Sequence, residues 1–270
     1  MVKNIYHKYL REGSLPHFFC PGCGAAQVLN FFLHAIDELE MDLNNFVCIG
    51  GVGCTARIPV YLKADALHGI HGRTLPWATG INLTNPKLKL VIFAGDGDAA
   101  AIGGNHLIQA ARRNLDVTMI VVNNLTFGMT GGQVAPTTHK NLRSTTTPYG
   151  NPEPAFDLAK LVLGAGATYV SRWSTATPRQ SIHSIKDALQ HKGFSFVEII
   201  AQCPTGFGRK ALKSGDPIQG IHWIKENSIT EKKLKELPKE EQQGKFVLGN
   251  FMKREAPVFK GSSFIKPEDD

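Results

Sequence analysis

Two short apolar runs, at residues 90–94 and 117–122, flank a segment at 99–113 whose apolar positions recur at helical spacing. Runs that are hydrophobic at every position, rather than at alternate ones, belong to strands buried on both faces of a parallel sheet. Residues 88–132 therefore read as strand, acidic glycine turn, helix, strand and polar Asn-Asn turn. Such a crossover puts both strand ends on one edge of the sheet, the edge where ligands bind in open α/β folds.

The alternation continues on both sides. Val28, Phe31, Phe32, Ala35, Ile36 and Leu39 make one apolar face of a helix over 24–39, and 46–49 is a short strand. A glycine turn at 50–53 follows, then a stretch of small and polar residues at 57–82, with a helix expected at about 75–83. Residues 128–151 form a long Thr- and Gly-rich loop with no hydrophobic period, and such loops in compact domains are usually functional. Helix, strand, helix and strand are expected at 156–163, 168–171, 178–192 and 195–201. Beyond Cys203 the pattern dissolves into a Gly- and Lys-rich region with at most one helix, near 230–237. The expectation is an α/β fold, a doubly wound and mostly parallel sheet at 20–205, with an N-terminal arm at 1–19 and a C-terminal extension at 206–270.

Composition narrows the class. With 270 residues, 42% hydrophobic and 20% charged, the chain is an ordinary globular sequence. No apolar run reaches the roughly 18 residues of a membrane span, and the N-terminus lacks a signal-peptide core, so no membrane and a cytoplasmic location are expected. The net charge of +7 is concentrated late, but Lys232, Lys233, Lys235, Lys239 and Lys245 alternate with Glu231, Glu236, Glu240 and Glu241. That mixture argues against nucleic acid and leaves an acidic protein partner open.

Candidate chemistry sits on two constellations. Gly95-Asp96-Gly97-Asp98 ends the first strand of the central unit, and Asn124 follows the second, 28 residues after Asp96. An Asp and an Asn on adjacent strand ends, with a backbone carbonyl at Thr126, suit Mg²⁺, which takes about six oxygens and shares them with substrate phosphate. The plainer reading is a turn and a loop cap. The second constellation is the cysteines, five in number. Cys20 and Cys23 form a Cys-x-x-Cys at the start of a helix, whose partial positive charge lowers a thiol pKa. Cys54 and Cys203 are single residues after strand ends, whereas Cys48 lies inside a strand as an inert core thiol. Four placed thiols fit an iron–sulfur cluster, a tetrahedral zinc or no metal at all.

Taken together, the motifs resemble a known family. GDG followed by NN resembles the signature of thiamine diphosphate enzymes. In order, CPGCG, GGVGCTAR, GDGDAAAIGGNH, NNLTFGMTGGQ and CPTGFGR resemble the β subunit of 2-oxoacid:ferredoxin oxidoreductases across about residues 16–225. The resemblance implies Mg²⁺ on Asp96, Asn124 and the Thr126 carbonyl, and the cofactor diphosphate against Gly97 and Asp98. It implies a 4Fe–4S cluster on Cys20, Cys23, Cys54 and Cys203, and a cofactor lined by Val52, Gly53, Cys54, Thr55, His71, Gly128 and Met129. Arg57 would meet the substrate carboxylate. The implied reaction is coenzyme A-dependent oxidative decarboxylation of a 2-oxoacid with ferredoxin, or its reversal, with 2-oxoglutarate favoured over 2-oxoisovalerate and pyruvate. A non-redox thiamine lyase would leave four cysteines idle, and a zinc-stapled binding module would leave Asp96 and Asn124 unexplained. Thiamine chemistry also needs a carboxylic acid at the aminopyrimidine. Glu38 and Glu40 lie at the wrong helix end and Glu198 lies within a strand, so the resemblance implies an α subunit that supplies this Glu in a heterodimer or dimer of heterodimers.

Overall fold

A computed structural model describes residues 4–260. Helix α1 (Ile5–Tyr9) and helix α2 (Gly24–Glu38) precede β1 (Phe46–Gly50), α3 (Ile58–Tyr61), β2 (Asp65–His68), α4 (Thr74–Thr84) and β3 (Lys89–Gly95). A π-helical turn, Asp98–Ile102, runs into α5 (Gly104–Arg113), then β4 (Val117–Asn123) and a small hairpin of β5 (Thr126–Phe127) and β6 (Gln133–Val134). Next come α6 (Leu158–Gly164), β7 (Tyr169–Ser174), α7 (Pro178–Gln190) and β8 (Phe194–Ile200). A second π-helical segment, Pro204–Leu212, leads to α8 (Pro217–Glu226), β9 (Ser228–Thr230), α9 (Glu231–Glu236), α10 (Lys239–Gln242) and β10 (Phe246–Lys253).

The main sheet has eight strands in the order β2-β1-β3-β4-β8-β7-β10-β9, parallel except where β10 meets β7. Steps in one direction along this order, from β2 to β3, β3 to β4 and β4 to β7, put α4, α5 and α6 on one face. Steps in the other direction, from β1 to β2 and β7 to β8, put α3 and α7 on the opposite face with α2. Right-handed crossovers require that alternation. The chain leaves β1 one way and β3 the other, so the switch point of the sheet lies between their carboxyl ends, where open α/β folds form their ligand crevice.

The strands β3, β4 and β8 are buried along nearly their whole length, and each face carries its own apolar core. Phe93 on β3 meets Phe32 of α2 edge to face, with centroids 5.0 Å apart. This packing fixes α2 over the sheet. At its start, the Gly24 NH donates to the Gln202 carbonyl at 3.0 Å, and a Cβ on Gly24 would lie 2.6 Å from Ala201 Cβ. The close approach brings the Cys-x-x-Cys against the segment that carries Cys203.

Two regions are more integrated than the sequence suggests. The segment before α2 contributes buried Tyr9, Leu10 and Phe19 to the core, and Leu10 bridges to Leu62. Residues 206–253, expected as an extension with one helix, instead add β9 and β10 to the sheet and pack α8 against the second π-helical segment. Asn114 anchors the return by donating to the carbonyls of Ala256 and Pro257. The last ten residues of the expected extension lie outside the described residues. Among the described residues no helix is long and apolar enough to cross a membrane.

Candidate active site at the switch point of the sheet

Four adjacent parallel strands, β1, β3, β4 and β8, deliver the candidate residues to one edge. A cavity of about 120 Å³ there is lined by Val52–Thr55 (residues 52–55), His71, residues 95–98, Asn124 and residues 126–130. It therefore gathers Val52, Gly53, Cys54, Thr55, His71, Asp96, Gly97, Asp98, Asn124, Thr126, Gly128 and Met129 from the sequence expectations. Closed small-molecule pockets run from roughly 300 to 1,000 Å³, so this one has the size of a single wall of a site. Val52 and Met129 stand at its rim as exposed apolar side chains.

The acids divide the work. Asp96 is buried, and its Oδ2 accepts a short hydrogen bond from the Thr137 hydroxyl. Burial pushes its carboxyl up to about 7, and the Thr137 hydroxyl pulls the other way. Asp98 turns elsewhere. Its Oδ1 faces His71 Nδ1 at 2.5 Å and accepts from the NH groups of Gly72 at 2.8 Å and Val52 at 3.3 Å. Its Oδ2 is buried with no partner. The sequence expectation placed Asp98 on a diphosphate, but its carboxylate clamps the 51–52 turn and His71, leaving the backbone at 97–98 to face the cavity. Among the described residues no Lys or Arg lines the cavity. Two buried carboxylates, one with an orphaned oxygen, and no side-chain cation make an acidic edge that suits a divalent metal ion.

The Asn-Asn turn is held by its own side chains. Asn124 Oδ1 accepts from the Thr126 NH at 3.3 Å, Asn123 Oδ1 accepts from the Leu125 NH at 3.2 Å, and Leu125 adopts φ 62°. A leucine in the left-handed region is strained, and such strain clusters at functional sites. The Thr138 hydroxyl donates to the Leu125 carbonyl at 2.7 Å, and the Thr126 hydroxyl to the Gln133 carbonyl at 2.9 Å. Thr137 and Thr138 come from the long Thr-rich loop. Its composition marked it as functional, but nothing in the sequence singled out these two residues.

The thiols meet on the β8 side of the same edge. Cys20 Sγ and Cys203 Sγ lie 3.8 and 3.9 Å from the Thr205 hydroxyl, and the Gly206 NH donates to Cys203 Sγ at 3.3 Å. A Cβ on Gly128 or on Gly206 would sit 3.2 Å from Cys203 Sγ, so glycine backbone walls that sulfur. Burial pushes the Cys23 thiol up to about 11, and the negative charges of Cys203 and Cys20 add to it. Burial likewise pushes Cys54 up to about 12, with Cys23, Cys203 and Cys20 adding. The helix-terminus expectation for Cys23 is thus reversed: the Ala25 and Ala26 NH groups pull its pKa down, but desolvation outweighs them. Cys48, pushed up to about 12 by burial alone apart from an opposing Arg11, senses none of the four. Among the described residues no three His, Cys, Asp or Glu side chains converge on a single-ion geometry.

Two other candidates fall outside the cavity. Arg57 is exposed on the short turn after Cys54, with no side-chain partner among the described residues. Glu198 is buried on β8, where Oε1 accepts from Asn123 and Oε2 from Arg172, each at 2.7 Å. Both its oxygens are committed.

Residues 51–199 match the family described as thiamine pyrophosphate enzyme, C-terminal TPP binding domain. The chain is 50% identical to the 2-oxoglutarate synthase subunit KorB of Methanocaldococcus jannaschii, over 93% of both chains. It is 41% identical to the 2-oxoglutarate oxidoreductase subunit KorB of Mycobacterium tuberculosis, over 69% of this chain and 50% of that one. A solved 2-oxoglutarate:ferredoxin oxidoreductase from Magnetococcus marinus, with 2-oxoglutarate, coenzyme A and succinyl-CoA bound, superposes with a TM-score of 0.82 at 32% identity, covering 96% of this chain and 88% of that one.

Proposed function

We propose a function from one premise: the chain belongs to the family of 2-oxoglutarate synthase KorB subunits and 2-oxoacid:ferredoxin oxidoreductase β subunits. It acts as the β subunit of a cytoplasmic, coenzyme A-dependent 2-oxoacid:ferredoxin oxidoreductase whose preferred substrate is 2-oxoglutarate. The observation that carries this is the meeting of the Asp96–Asn124 edge and four cysteines at the ends of four neighbouring strands.

The residues fit the groups the family implies. Asp96, Asn124 and the Thr126 carbonyl would hold Mg²⁺, and the Gly97–Asp98 backbone would receive the diphosphate of thiamine diphosphate. When bound, thiamine diphosphate supplies the carbanion chemistry and electron sink for decarboxylation. This chain's own part is to bind, orient and exclude water: Thr137 fixes the Asp96 carboxylate, and Asp98 with His71 fixes the 51–55 turn against the cavity. Cys20, Cys23, Cys54 and Cys203 would hold a 4Fe–4S cluster. The Cys23 and Cys54 thiols are pushed up by burial and by the charges of the neighbouring sulfurs, so bound metal is needed to keep those two as thiolates. Four thiols gathered at one edge of the sheet suit a 4Fe–4S cluster, with one iron per cysteine sulfur.

Among the described residues the acids lining the cavity are Asp96 and Asp98, both given roles above, and Glu198 is locked in a buried pair. A carboxyl for the aminopyrimidine must then come from a partner subunit, which would complete the site over the exposed Val52 and Met129. Arg57, unpaired beside Cys54, is the cation offered to a substrate carboxylate. Anaerobic co-purification with that partner tests the proposal. Coenzyme A-dependent viologen reduction should be fastest with 2-oxoglutarate, ahead of 2-oxoisovalerate and pyruvate, and absent for this chain alone. About four irons per chain should be found; zinc in their place would overturn the redox reading.

A further inference from the structure

Thr205 is an exposed residue at the rim of the four-thiol site, its hydroxyl touching both Cys20 and Cys203. It opens the π-helical segment Pro204–Leu212, in which Pro204, Gly206, Phe207 and Gly208 are buried while Thr205, Arg209 and Lys210 are exposed. With i to i+5 bonding a turn takes about four to five residues, so Thr205 shares one outward face with Arg209 and Lys210. Lys213, also exposed, ends the segment in a left-handed conformation. From Cys203 to Gly215 the sequence has these three cations and no acid. None of the three has a side-chain hydrogen bond or ion pair among the described residues, whereas Lys8, Lys186, Lys192 and Lys253 each meet a carboxylate. The positive face is thus unspent, and Thr205 on it touches two of the four thiols.

We infer that the face carrying Thr205, Arg209, Lys210 and Lys213 is the docking surface for an acidic one-electron carrier protein. The inference rests on the redox function proposed above and assigns that function's exit face. Each turnover of the oxoacid breaks the bond between its carboxylate and oxo carbons, releases CO₂ and forms the thioester C–S bond with coenzyme A. Two electrons and one proton are left over. One-electron carriers must therefore dock twice per turnover and leave each time. Encounters of that kind use small contacts, below about 1,200 Å², and charge steering raises their on-rates by roughly 10–10³-fold. A short cationic stripe fits that need better than a broad apolar patch.

Calorimetric titration of the co-purified enzyme with an oxidised acidic ferredoxin reads the interaction without turnover. The wild-type Kd should weaken about 10-fold or more between about 0.1 and 1 M salt, where the Debye length falls from about 10 to 3 Å. The double variant Arg209→Glu/Lys210→Glu should weaken low-salt binding about 10-fold or more and flatten the salt dependence, with iron content and viologen reduction unchanged. Wild-type-like ferredoxin binding by the variant would overturn the inference. So would failure of the variant to co-purify, which would assign the face to the subunit interface. Lack of oxoacid-dependent viologen reduction by the wild type would instead strike the functional reading, separately from the binding result.

Discussion

The side-chain amide of Asn123 donates to Glu198 Oε1 at 2.7 Å while its carbonyl accepts from the Leu125 NH at 3.2 Å. Glu198 is in turn held by Arg172, and Arg172 by Asp157. A buried ionic chain thus reaches from β7 and β8 to the strained turn that presents Asn124 and Thr126. Groups that orient metal ligands typically contribute 10–100-fold to affinity. Asn123→Ala is expected to weaken Mg²⁺–thiamine diphosphate binding by roughly that factor, with kcat largely retained at saturating cofactor. Titration calorimetry on the assembled enzyme checks it; an unchanged affinity would show that the backbone alone sets the turn. Glu198→Ala, which removes one of the two carboxylates paired with the buried Arg172, should cost roughly 3 kcal/mol in denaturant unfolding.

On the proposed ligand assignment the cysteines separate by role. Cys203→Ser or Cys20→Ser should lose most of the iron and the broad absorbance of the cluster. Cys48→Ala should keep a full iron complement and cost only about 1–2 kcal/mol for the buried volume removed. Iron quantitation on anaerobic preparations decides this, and iron loss in Cys48→Ala would contradict the ligand assignment.

Glycine substitutions give a matched pair. A Cβ at Gly51 would fall 2.1 Å from Asp98 Oδ2, whereas a Cβ at Gly80, inside α4, meets nothing within 4 Å. Gly51→Ala should push the Asp98 carboxylate off His71 and lower kcat/KM by about 10²-fold, as displacements near 1 Å do. Gly80→Ala should leave kinetics alone and stabilise the helix by about 1 kcal/mol. Steady-state rates and melting curves for the two variants test the contrast.

Acid sensitivity should trace in part to His139. It stacks 4.8 Å from Phe246, and burial, then the Arg172 charge, lowers its pKa from 6.5. The folded protein therefore binds fewer protons here than the unfolded chain once pH drops below about 6.5, and stability falls as pH falls through that window. His139→Phe should flatten the slope of Tm against pH between about 5 and 6.5. A slope identical to wild type would assign the sensitivity to His106 and His191, which burial lowers as well.

Much of the fold was legible because β3, β4 and β8 are buried throughout and so read as unbroken apolar runs. The edge strand β2 was not. Three of its four residues are exposed, so no burial pattern marks it. The strands β9 and β10 were hidden by the Lys and Glu of the short helices α9 and α10 between them, although Phe246 and Leu248 are buried. At the site, residues on motif spacings were found, whereas Thr137 and Thr205 were missed. Their partners lie 41 and 185 residues away, at Asp96 and Cys20, and no local spacing encodes such contacts. Asp98 shows a different limit: only the fold reveals that its carboxylate serves His71 and the 51–52 turn.

Cys20 and Cys203 meet at one hydroxyl although 203 − 20 = 183 residues separate them. At 5–20 residues per second, a ribosome needs roughly 10–40 s to make that interval. Cys20, Cys23 and Cys54 therefore wait in the nascent chain for Cys203, which arrives only after β8 has been made. With the cluster on the four thiols proposed above, iron loading is a late step in the life of this subunit, and a chain truncated before Cys203 would carry the Asp96–Asn124 edge but no complete place for the cluster.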